Sequence, residues 1–189
     1  WNDPSLNISW PFPATDRPVV PTEDTLFPRI EEVQAHLSLP EFSCDVLLYG
    51  STGYFGSNLL KILQESGVDV VCPRTRLENR PGLLADAATY RPKRVINCAG
   101  VTGTPNIMWC ETHQPETARG NFIGLMNLLD VFAPLDVHVT TIGTGIIHCY
   151  DKDHRLDNEV GYVESDPPTY HGNVYVRLRV AQEKMVEEV

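Results

Sequence analysis

The chain has 189 residues, of which 42% are hydrophobic and 21% charged, which is room for one globular domain and a shorter additional segment. Its formal net charge of −10 at pH 7 excludes a basic surface for nucleic acid or for an anionic membrane, so we expect neither partner. Five cysteines, an odd number without zinc-ligand spacing, indicate reduced thiols in a cytoplasmic protein and no metal site.

Residues 1–42 differ in composition from the rest of the chain. They are rich in proline, contain two tryptophans and show little periodicity, so they are predicted to be extended and irregular apart from a short helix over 31–37. The chain begins at Trp1 instead of a methionine and stops at Val189 within a helical pattern. We therefore expect a fragment of a longer protein.

From residue 43 onward, short apolar runs alternate with amphipathic stretches, which predicts an α/β domain over 43–189. The predicted strands are 45–49, 68–72, 94–98 and 137–142. The predicted helices are 54–66, 82–90, 115–133 and 175–188. Right-handed crossovers would place the strands in one parallel sheet with helices on both faces. The predicted fold is therefore a Rossmann-type, doubly wound α/β sheet, truncated at the carboxyl terminus and preceded by an irregular extension.

A glycine-punctuated turn connects the first predicted strand to the first predicted helix. Gly50 suits the tight turn, Gly53 lets backbone amides approach a pyrophosphate, and Gly56 lets the helix pack closely on the strand. The helix N-terminus adds unpaired N–H groups and a partial positive charge. The alternative is a glycine-rich turn without a ligand, but the strand–turn–helix context favours a dinucleotide. The other loop residues predicted to line this cofactor site are Thr52, Tyr54 and Phe55.

The residues after the second predicted strand bear on the choice of dinucleotide. An acidic residue at this place binds the ribose 2′-hydroxyl of NAD, whereas arginine suits the 2′-phosphate of NADP. Arg74 and Arg76 occupy it, which favours NADP(H); the alternative is two solvated surface arginines. Asp86, further along the chain, is a candidate for a carboxylate near the adenine amino group.

Small residues follow the third predicted strand at its carboxyl end, the side on which open α/β sheets bind ligands. Asn97, Ala99 and Gly100 would let the pyrophosphate and ribose of the cofactor lie close to the backbone. The alternative is a tight exit from the strand, which accounts for Gly100 but not for the whole run of small residues.

Three residues nearer the carboxyl terminus have the chemistry of carbonyl reduction. Tyr175 and Arg179 are one turn apart on one predicted helix and therefore share a face. A cation beside the phenol stabilises the charge that remains when the phenol gives its proton to a carbonyl oxygen. Thr144, after the fourth predicted strand, can orient the same oxygen. The alternative is a packing aromatic and a surface charge.

The run from Asn97 to Asn121, which contains Trp109-Cys110-Glu111, is the most specific stretch of the sequence. Together with the glycine loop, it makes residues 43–189 resemble the extended short-chain dehydrogenase/reductases, and within them the dTDP-4-dehydrorhamnose reductases and the nucleotide-rhamnose synthase epimerase-reductase branch. The resemblance implies NADPH-dependent reduction of the C4 keto group of a nucleotide-linked 4-keto-6-deoxyhexose, and a missing carboxyl-terminal substrate lobe. The substrate-binding residues that it implies are Val101, Thr102, Asn106, Trp109, Glu111 and Asn121.

The resemblance also assigns catalytic roles. Thr144 matches the catalytic threonine of the family, and Tyr175 matches its general acid. Cys110 lies in the stretch beside the sugar and is a candidate acid/base for epimerisation at the carbons flanking the ketone; the alternative is a buried inert thiol. Arg179 stands where the family has lysine, and it supplies charge but cannot deprotonate in a proton relay.

That departure sets up a rival interpretation, a catalytically impaired NADP-binding regulatory or scaffold subunit. A third interpretation is a sugar-nucleotide epimerase or dehydratase, which is disfavoured because no Asp-Glu pair follows Thr144.

Residues 1–35 resemble a different family, the carboxyl-terminal tail of dTDP-4-dehydrorhamnose 3,5-epimerase. The matching stretches run from Trp1 to Pro11 and from Pro21 to Glu31. This resemblance implies an upstream, cupin-like epimerase domain in the same parent chain. The expected partners are therefore that domain and a nucleotide-sugar substrate, with a homodimer left open.

Overall fold

The computed structural model describes residues 42–157 and 159–187. The predictions for residues 1–41 lie outside the described residues; they are the irregular extension, the short helix over 31–37 and the epimerase-like tail. The division into an extension and a cofactor-binding domain at residue 43 stays a prediction.

Four parallel strands form one sheet. They are β1 (Cys44–Tyr49), β2 (Val70–Val71), β3 (Pro92–Asn97) and β4 (His138–Thr141), in the order β2-β1-β3-β4. β1 and β3 pair from end to end, with Leu47 opposite Val95 and Tyr49 opposite Asn97. The second strand is shorter than predicted, because only its two valines pair with β1.

The apolar run of β1 is explained by burial on both faces of the sheet. Successive side chains of a strand point to opposite faces, and the neighbours Leu47 and Leu48 are both 0% exposed. A strand covered on both sides has no polar alternation, which is typical of parallel sheets in α/β folds.

Six α-helices accompany the strands among the described residues. They are α1 (Tyr54–Glu65), α2 (Arg80–Tyr90), α3 (Trp109–Thr112), α4 (Gln114–Thr117), α5 (Gly124–Phe132) and α6 (Val174–Glu187). α2 begins earlier than predicted because the Asn79 side chain accepts a hydrogen bond from the Gly82 amide and a proline occupies the first turn. Short 3-10 turns at Ala133–Leu135 and Gly145–Ile147 flank β4.

The helix predicted over 115–133 is not one regular α-helix. It comprises α4, a π-helical stretch at Ala118–Ile123 and α5. In the widened stretch, a Cβ atom on Gly120 would lie 2.4 Å from the Val101 side chain. Asn121 in the same stretch hydrogen-bonds to the backbone of Val101. Hydrophobic periodicity does not reveal such a widening, because it depends on packing against a distant loop.

Two apolar clusters hold the described region together. The larger one packs α2 and α5 against β1 and β3, with Leu47, Leu83, Val95, Leu128 and Phe132 among its members. The smaller cluster joins α6 to the segments after β3 and β4; its buried members are Cys110, Ile147, Tyr175, Val176 and Val180. The second cluster therefore brings the predicted catalytic helix to the carboxyl edge of the sheet.

The strand order reverses between β1 and β3, since one crossover runs to β2 on one side and the next runs to β3 on the other. Open α/β sheets bind ligands in the crevice outside the carboxyl ends of the strands at such a reversal. The loops that follow Tyr49 and Asn97 border this crevice, and the glycine loop is one of them.

Candidate active site

The first glycine of the loop, Gly50, lies against the end of β3. Its φ of +75° is in the left-handed region, and a Cβ atom at this position would come within 2.4 Å of the Ala99 backbone nitrogen. The Gly53 amide closes the turn by donating to the Gly50 carbonyl oxygen at 3.1 Å. Gly50 is therefore required both for the turn and for the close approach of the two loops.

The third glycine lets α1 approach the strand that precedes it. A Cβ atom on Gly56 would lie 2.1 Å from the Gly50 carbonyl oxygen, so no larger residue fits there. α1 begins after Gly53, whose position carries no side-chain cap. The first amides of α1 therefore stay available for an anion, and the helix dipole favours one. This cradle fits the pyrophosphate of a dinucleotide.

The remaining loop residues lie on the surface at the start of α1. Tyr54 is 80% exposed and Phe55 is 64% exposed, and their rings contact each other edge to face at 5.4 Å. Thr52 is exposed beside them. The structure thus places all six predicted loop residues in the turn after β1 and in the first turn of α1.

The two arginines predicted to select NADP are solvated. The Arg76 side chain is 83% exposed and its Nε atom lies 3.6 Å from the Glu78 carboxylate. Arg74 is exposed as well. Glu78 lies two residues beyond Arg76, so an acidic residue stands close to the arginines. Binding of a 2′-phosphate by these arginines stays a prediction.

Asp86 has a structural partner. Its carboxylate accepts a hydrogen bond of 3.0 Å from the hydroxyl of Tyr49, which is 1% exposed at the end of β1. Burial, and after it the neighbouring carboxylate, raises the pKa of the Tyr49 phenol well above its usual range. A role for Asp86 at adenine stays a prediction. Its hydrogen bond with Tyr49 connects α2 to β1.

Two buried asparagines shape the exit from β3. The Asn97 side chain accepts from the Ala99 amide at 2.8 Å and donates to the Thr141 hydroxyl of β4 at 3.1 Å. Asn121, which is 2% exposed, bonds both the amide and the carbonyl oxygen of Val101. Both side-chain amides therefore fix the backbone on either side of Gly100. Contact of Asn97 with the cofactor and of Asn121 with the substrate stays a prediction.

The predicted catalytic pair lies together on α6. Tyr175 is 5% exposed and Arg179 is 6% exposed. The guanidinium Nε donates to the Tyr175 hydroxyl oxygen at 3.3 Å, and its carbon lies 5.3 Å from the centre of the Tyr175 ring. The alternative that Arg179 is a surface charge is therefore wrong, because a buried cation contacts the phenol directly.

Arg179 also reaches the end of β3. A Cβ atom on Gly100 would lie 2.8 Å from the Nη2 atom of Arg179. Glycine at position 100 therefore makes room for the guanidinium, which connects α6 to the loop beside Gly50. The small residues after β3 were predicted to leave space for a cofactor. At Gly100 that space is also used by the Arg179 side chain.

Thr144 follows β4 at the same edge of the sheet. It is half-buried, and its hydroxyl oxygen accepts from the Ile146 amide at 3.4 Å at the start of a 3-10 turn. Ile147 of that turn packs in the cluster that contains Tyr175. Thr144 and Tyr175 therefore come from adjoining elements at the crevice.

Cys110 lies in the same apolar cluster as Tyr175. It is 0% exposed and shares an apolar cluster with Tyr175, Ile147 and Val176. A thiol in these surroundings fits the inert alternative better than an acid/base that must contact a sugar. Its role in epimerisation stays a prediction.

The segment predicted to contact the sugar is held by several local interactions. Trp109 stacks on His113 with ring centres 3.8 Å apart, and Asn106 accepts from the Met108 amide at 2.9 Å. Glu111 accepts from the Val174 amide at 2.6 Å and so caps the start of α6. Thr102 is exposed. Sequence reasoning missed the capping role of Glu111, since 63 residues separate the two partners.

Gln182 is a further residue that the sequence argument missed. It lies one turn after Arg179 on α6, is 4% exposed, and accepts a hydrogen bond of 3.0 Å from the Arg179 Nη1 atom. The three-residue spacing of Arg179 and Gln182 on a predicted helix indicates that the two side chains share one face.

Metal binding and membrane insertion were also considered for the described residues. Within residues 42–157 and 159–187, no group of three or more His, Cys, Asp or Glu side chains is arranged to hold a metal ion. All five cysteines are free thiols. In the same ranges no helix has the length and apolarity that crossing a membrane requires.

A sequence profile of the NAD dependent epimerase/dehydratase family matches residues 46–189. The chain is also similar to a trifunctional UDP-glucose 4,6-dehydratase/UDP-4-keto-6-deoxy-D-glucose 3,5-epimerase/UDP-4-keto-L-rhamnose-reductase of Arabidopsis thaliana. The two are 37% identical over 146 residues, which is 77% of this chain and 22% of that protein.

A second relative and a solved structure extend the comparison. The bifunctional dTDP-4-dehydrorhamnose 3,5-epimerase/dTDP-4-dehydrorhamnose reductase of Arabidopsis thaliana is 34% identical over 145 residues, which is 77% of this chain and 48% of that protein. The crystal structure of the L780 UDP-rhamnose synthase from Acanthamoeba polyphaga mimivirus matches with a TM-score of 0.68 at 25% identity, over 76% of this chain and 51% of that one. The chain therefore spans between about a fifth and about a half of the length of these proteins. The predicted fold class and family resemblance are confirmed.

Proposed function

Since the chain belongs to the NAD dependent epimerase/dehydratase family, we propose that it binds NADPH and reduces the C4 keto group of a nucleotide-linked 4-keto-6-deoxyhexose. The relatives whose names include a UDP-4-keto-L-rhamnose-reductase and a dTDP-4-dehydrorhamnose reductase support this substrate class. The nucleotide is UDP or dTDP, and the two are compared in the experiment below.

The glycine loop binds the cofactor. The amides at the start of α1 face the pyrophosphate, and the exposed loop between Gly50 and Gly56 leaves room for it. Arg74 and Arg76 are the side chains proposed to bind the 2′-phosphate, because both are exposed cations after β2. When bound, the nicotinamide supplies the hydride that adds to C4 of the sugar.

The single observation that carries the proposal is the buried contact between Arg179 and Tyr175 beside Gly100. Tyr175 donates its hydroxyl proton to the ketone oxygen as C4 is reduced, which converts the carbonyl to an alcohol. The guanidinium stabilises the phenolate left behind, and Thr144 donates a hydrogen bond that orients the same oxygen.

Epimerisation at the carbons flanking the ketone would require an additional acid/base beside the sugar. Cys110 is the candidate, and its complete burial favours a packing role. We therefore limit the proposal to reduction.

A second candidate function is supported by the same arginine. Arg179 keeps its charge throughout a catalytic cycle and cannot relay a proton, so the site could bind NADPH without turnover and serve as a regulatory subunit. In this case partner enzymes, not the sugar, would respond to the cofactor.

The test follows NADPH absorbance with UDP-4-keto-L-rhamnose and dTDP-4-dehydrorhamnose, the keto sugars in the names of the relatives' reductase activities. It uses the wild type, Arg179→Lys and the control Arg177→Lys. Arg177 is exposed on the same helix, so its replacement controls for a change of cation alone. Turnover by the wild type and by Arg177→Lys supports the reductase. Binding of NADPH without turnover in all three proteins supports the regulatory function, and turnover by Arg179→Lys alone identifies an enzyme impaired at this position.

A further inference from the structure

Gln182 has a buried side-chain amide in which one polar atom is hydrogen-bonded and the other has no partner among the described residues. Its Oε1 atom accepts from the Arg179 Nη1 atom at 3.0 Å. Its Nε2 atom is buried and has no hydrogen-bond partner among the described residues. A buried donor without a partner is costly, whereas the hydrogen bond to the buried cation is favourable.

Exchanging the amide oxygen and nitrogen of Gln182 by a flip does not improve its hydrogen bonding. A flip would turn Nε2 toward Arg179, and the guanidinium has donors only, so two donors would face each other. The oxygen must therefore face Arg179, and Nε2 points away from the guanidinium.

The guanidinium is fixed at two of its three nitrogens. Nε donates to the Tyr175 hydroxyl and Nη1 donates to Gln182. Because the group is planar and rigid, these two bonds determine the direction of Nη2, which lies beside exposed Gly100 at the crevice.

We propose that Gln182 is a positioning residue, an inference that rests on the proposed function. It fixes the plane of the Arg179 guanidinium so that Nη2 faces the bound NADPH at Gly100 while Nε stays on the Tyr175 hydroxyl. A lysine at position 179 would carry one compact ammonium without a plane to orient, so the effect of Gln182 requires arginine.

A double-mutant cycle tests this inference. Gln182→Met removes both the acceptor and the orphaned donor at similar volume, and Gln182→Glu keeps an acceptor. Both are made in the wild type and in Arg179→Lys, with Gln64→Met as the control, since Gln64 is exposed on α1. The readouts are the Kd for NADPH, measured by its fluorescence, and the Tm without cofactor.

We expect Gln182→Met to raise the Kd about tenfold, because the guanidinium loses the acceptor that orients it. The Tm should fall modestly, because the buried Nη1 donor of Arg179 is left without its acceptor while the Gln182 Nε2 donor is removed. Gln182→Glu should lie closer to the wild type than Gln182→Met does. In the Arg179→Lys background, Gln182→Met should change the Kd less than about twofold.

Two results would overturn the inference while leaving the proposed function intact. One is wild-type binding of NADPH with a Kd that Gln182→Met changes less than about twofold. The other is an equal rise in Kd in the Arg179→Lys background, because it would indicate a purely structural role. Absence of NADPH binding by the wild type would overturn both proposals.

Discussion

The Arg179 guanidinium lies 3.3 Å from the Tyr175 hydroxyl, one helical turn away, and both side chains are almost completely buried. A buried cation without a carboxylate beside it is unfavourable unless a ligand or a polar neighbour compensates it. No ion pair among the described residues involves Arg179, so its charge is available to the crevice at Gly100.

Tyr175→Phe removes the proposed proton donor. We expect turnover to fall by at least about 100-fold, because a general acid typically contributes that much, while NADPH affinity stays within about threefold. Steady-state kinetics and cofactor titration measure the two effects. Tyr150→Phe, at a tyrosine that is 73% exposed, is the control. Turnover that survives in Tyr175→Phe would remove Tyr175 from the mechanism.

Gly50→Ala places a Cβ atom where φ is +75° and where the Ala99 nitrogen is 2.4 Å away. We expect a loss of about 3 kcal/mol in the free energy of unfolding, since left-handed strain and a backbone clash add together. Urea denaturation measures it. Gly161→Ala is the control, because nothing lies within 4 Å of a Cβ atom there. Equal effects at both positions would contradict the close packing of the two loops.

The glycine loop and the sheet were predictable from sequence because their causes are local. An apolar run before Gly50 and an amphipathic run after it specify a strand, a turn and a helix. The end of the second strand and the π-helical stretch at Ala118–Ile123 were not predictable, since both depend on packing between distant segments.

The candidate site shows the same division. The four-residue spacing of Tyr175 and Arg179 predicted a shared helix face, and the structure places them in contact. The burial of Arg179 and the capping of α6 by Glu111 were not predictable, because they arise from loops that meet α6 only in the folded chain. Exposure and partner identity are properties of the fold, which spacing alone does not encode.

Replacing Arg74 and Arg76 together by serine tests the choice of cofactor. We expect the Kd for NADPH to rise about tenfold while the Kd for NADH stays unchanged, because only NADPH carries the 2′-phosphate. Fluorescence titration with both cofactors measures this. Arg177→Ser, an exposed arginine on α6, should leave both values unaltered. An equal loss for both cofactors would show that the arginines act through general charge.

The Tyr49 phenol predicts a pH dependence of stability. Its pKa is raised in the folded state by burial and by Asp86, so above pH of about 10 the unfolded chain loses this proton while the folded chain keeps it. Stability should therefore fall by about 1.4 kcal/mol per pH unit from this group alone.

Urea denaturation between about pH 9 and about pH 11 measures this slope. Tyr49→Phe should flatten it, whereas Tyr150→Phe should not, because Tyr150 is exposed. Identical slopes in the wild type and Tyr49→Phe would show that the buried phenol does not carry the effect.

Hydride transfer to the sugar is the central claim, and isotope transfer tests it most directly. NADPH deuterated at both C4 positions of the nicotinamide is incubated with the protein and a UDP- or dTDP-linked 4-keto-6-deoxyhexose, and the product is analysed by NMR. We expect one deuterium at C4 of a reduced sugar, absent with Tyr175→Phe. Unreduced sugar in the presence of bound NADPH, for both the wild type and Arg179→Lys, would contradict the account.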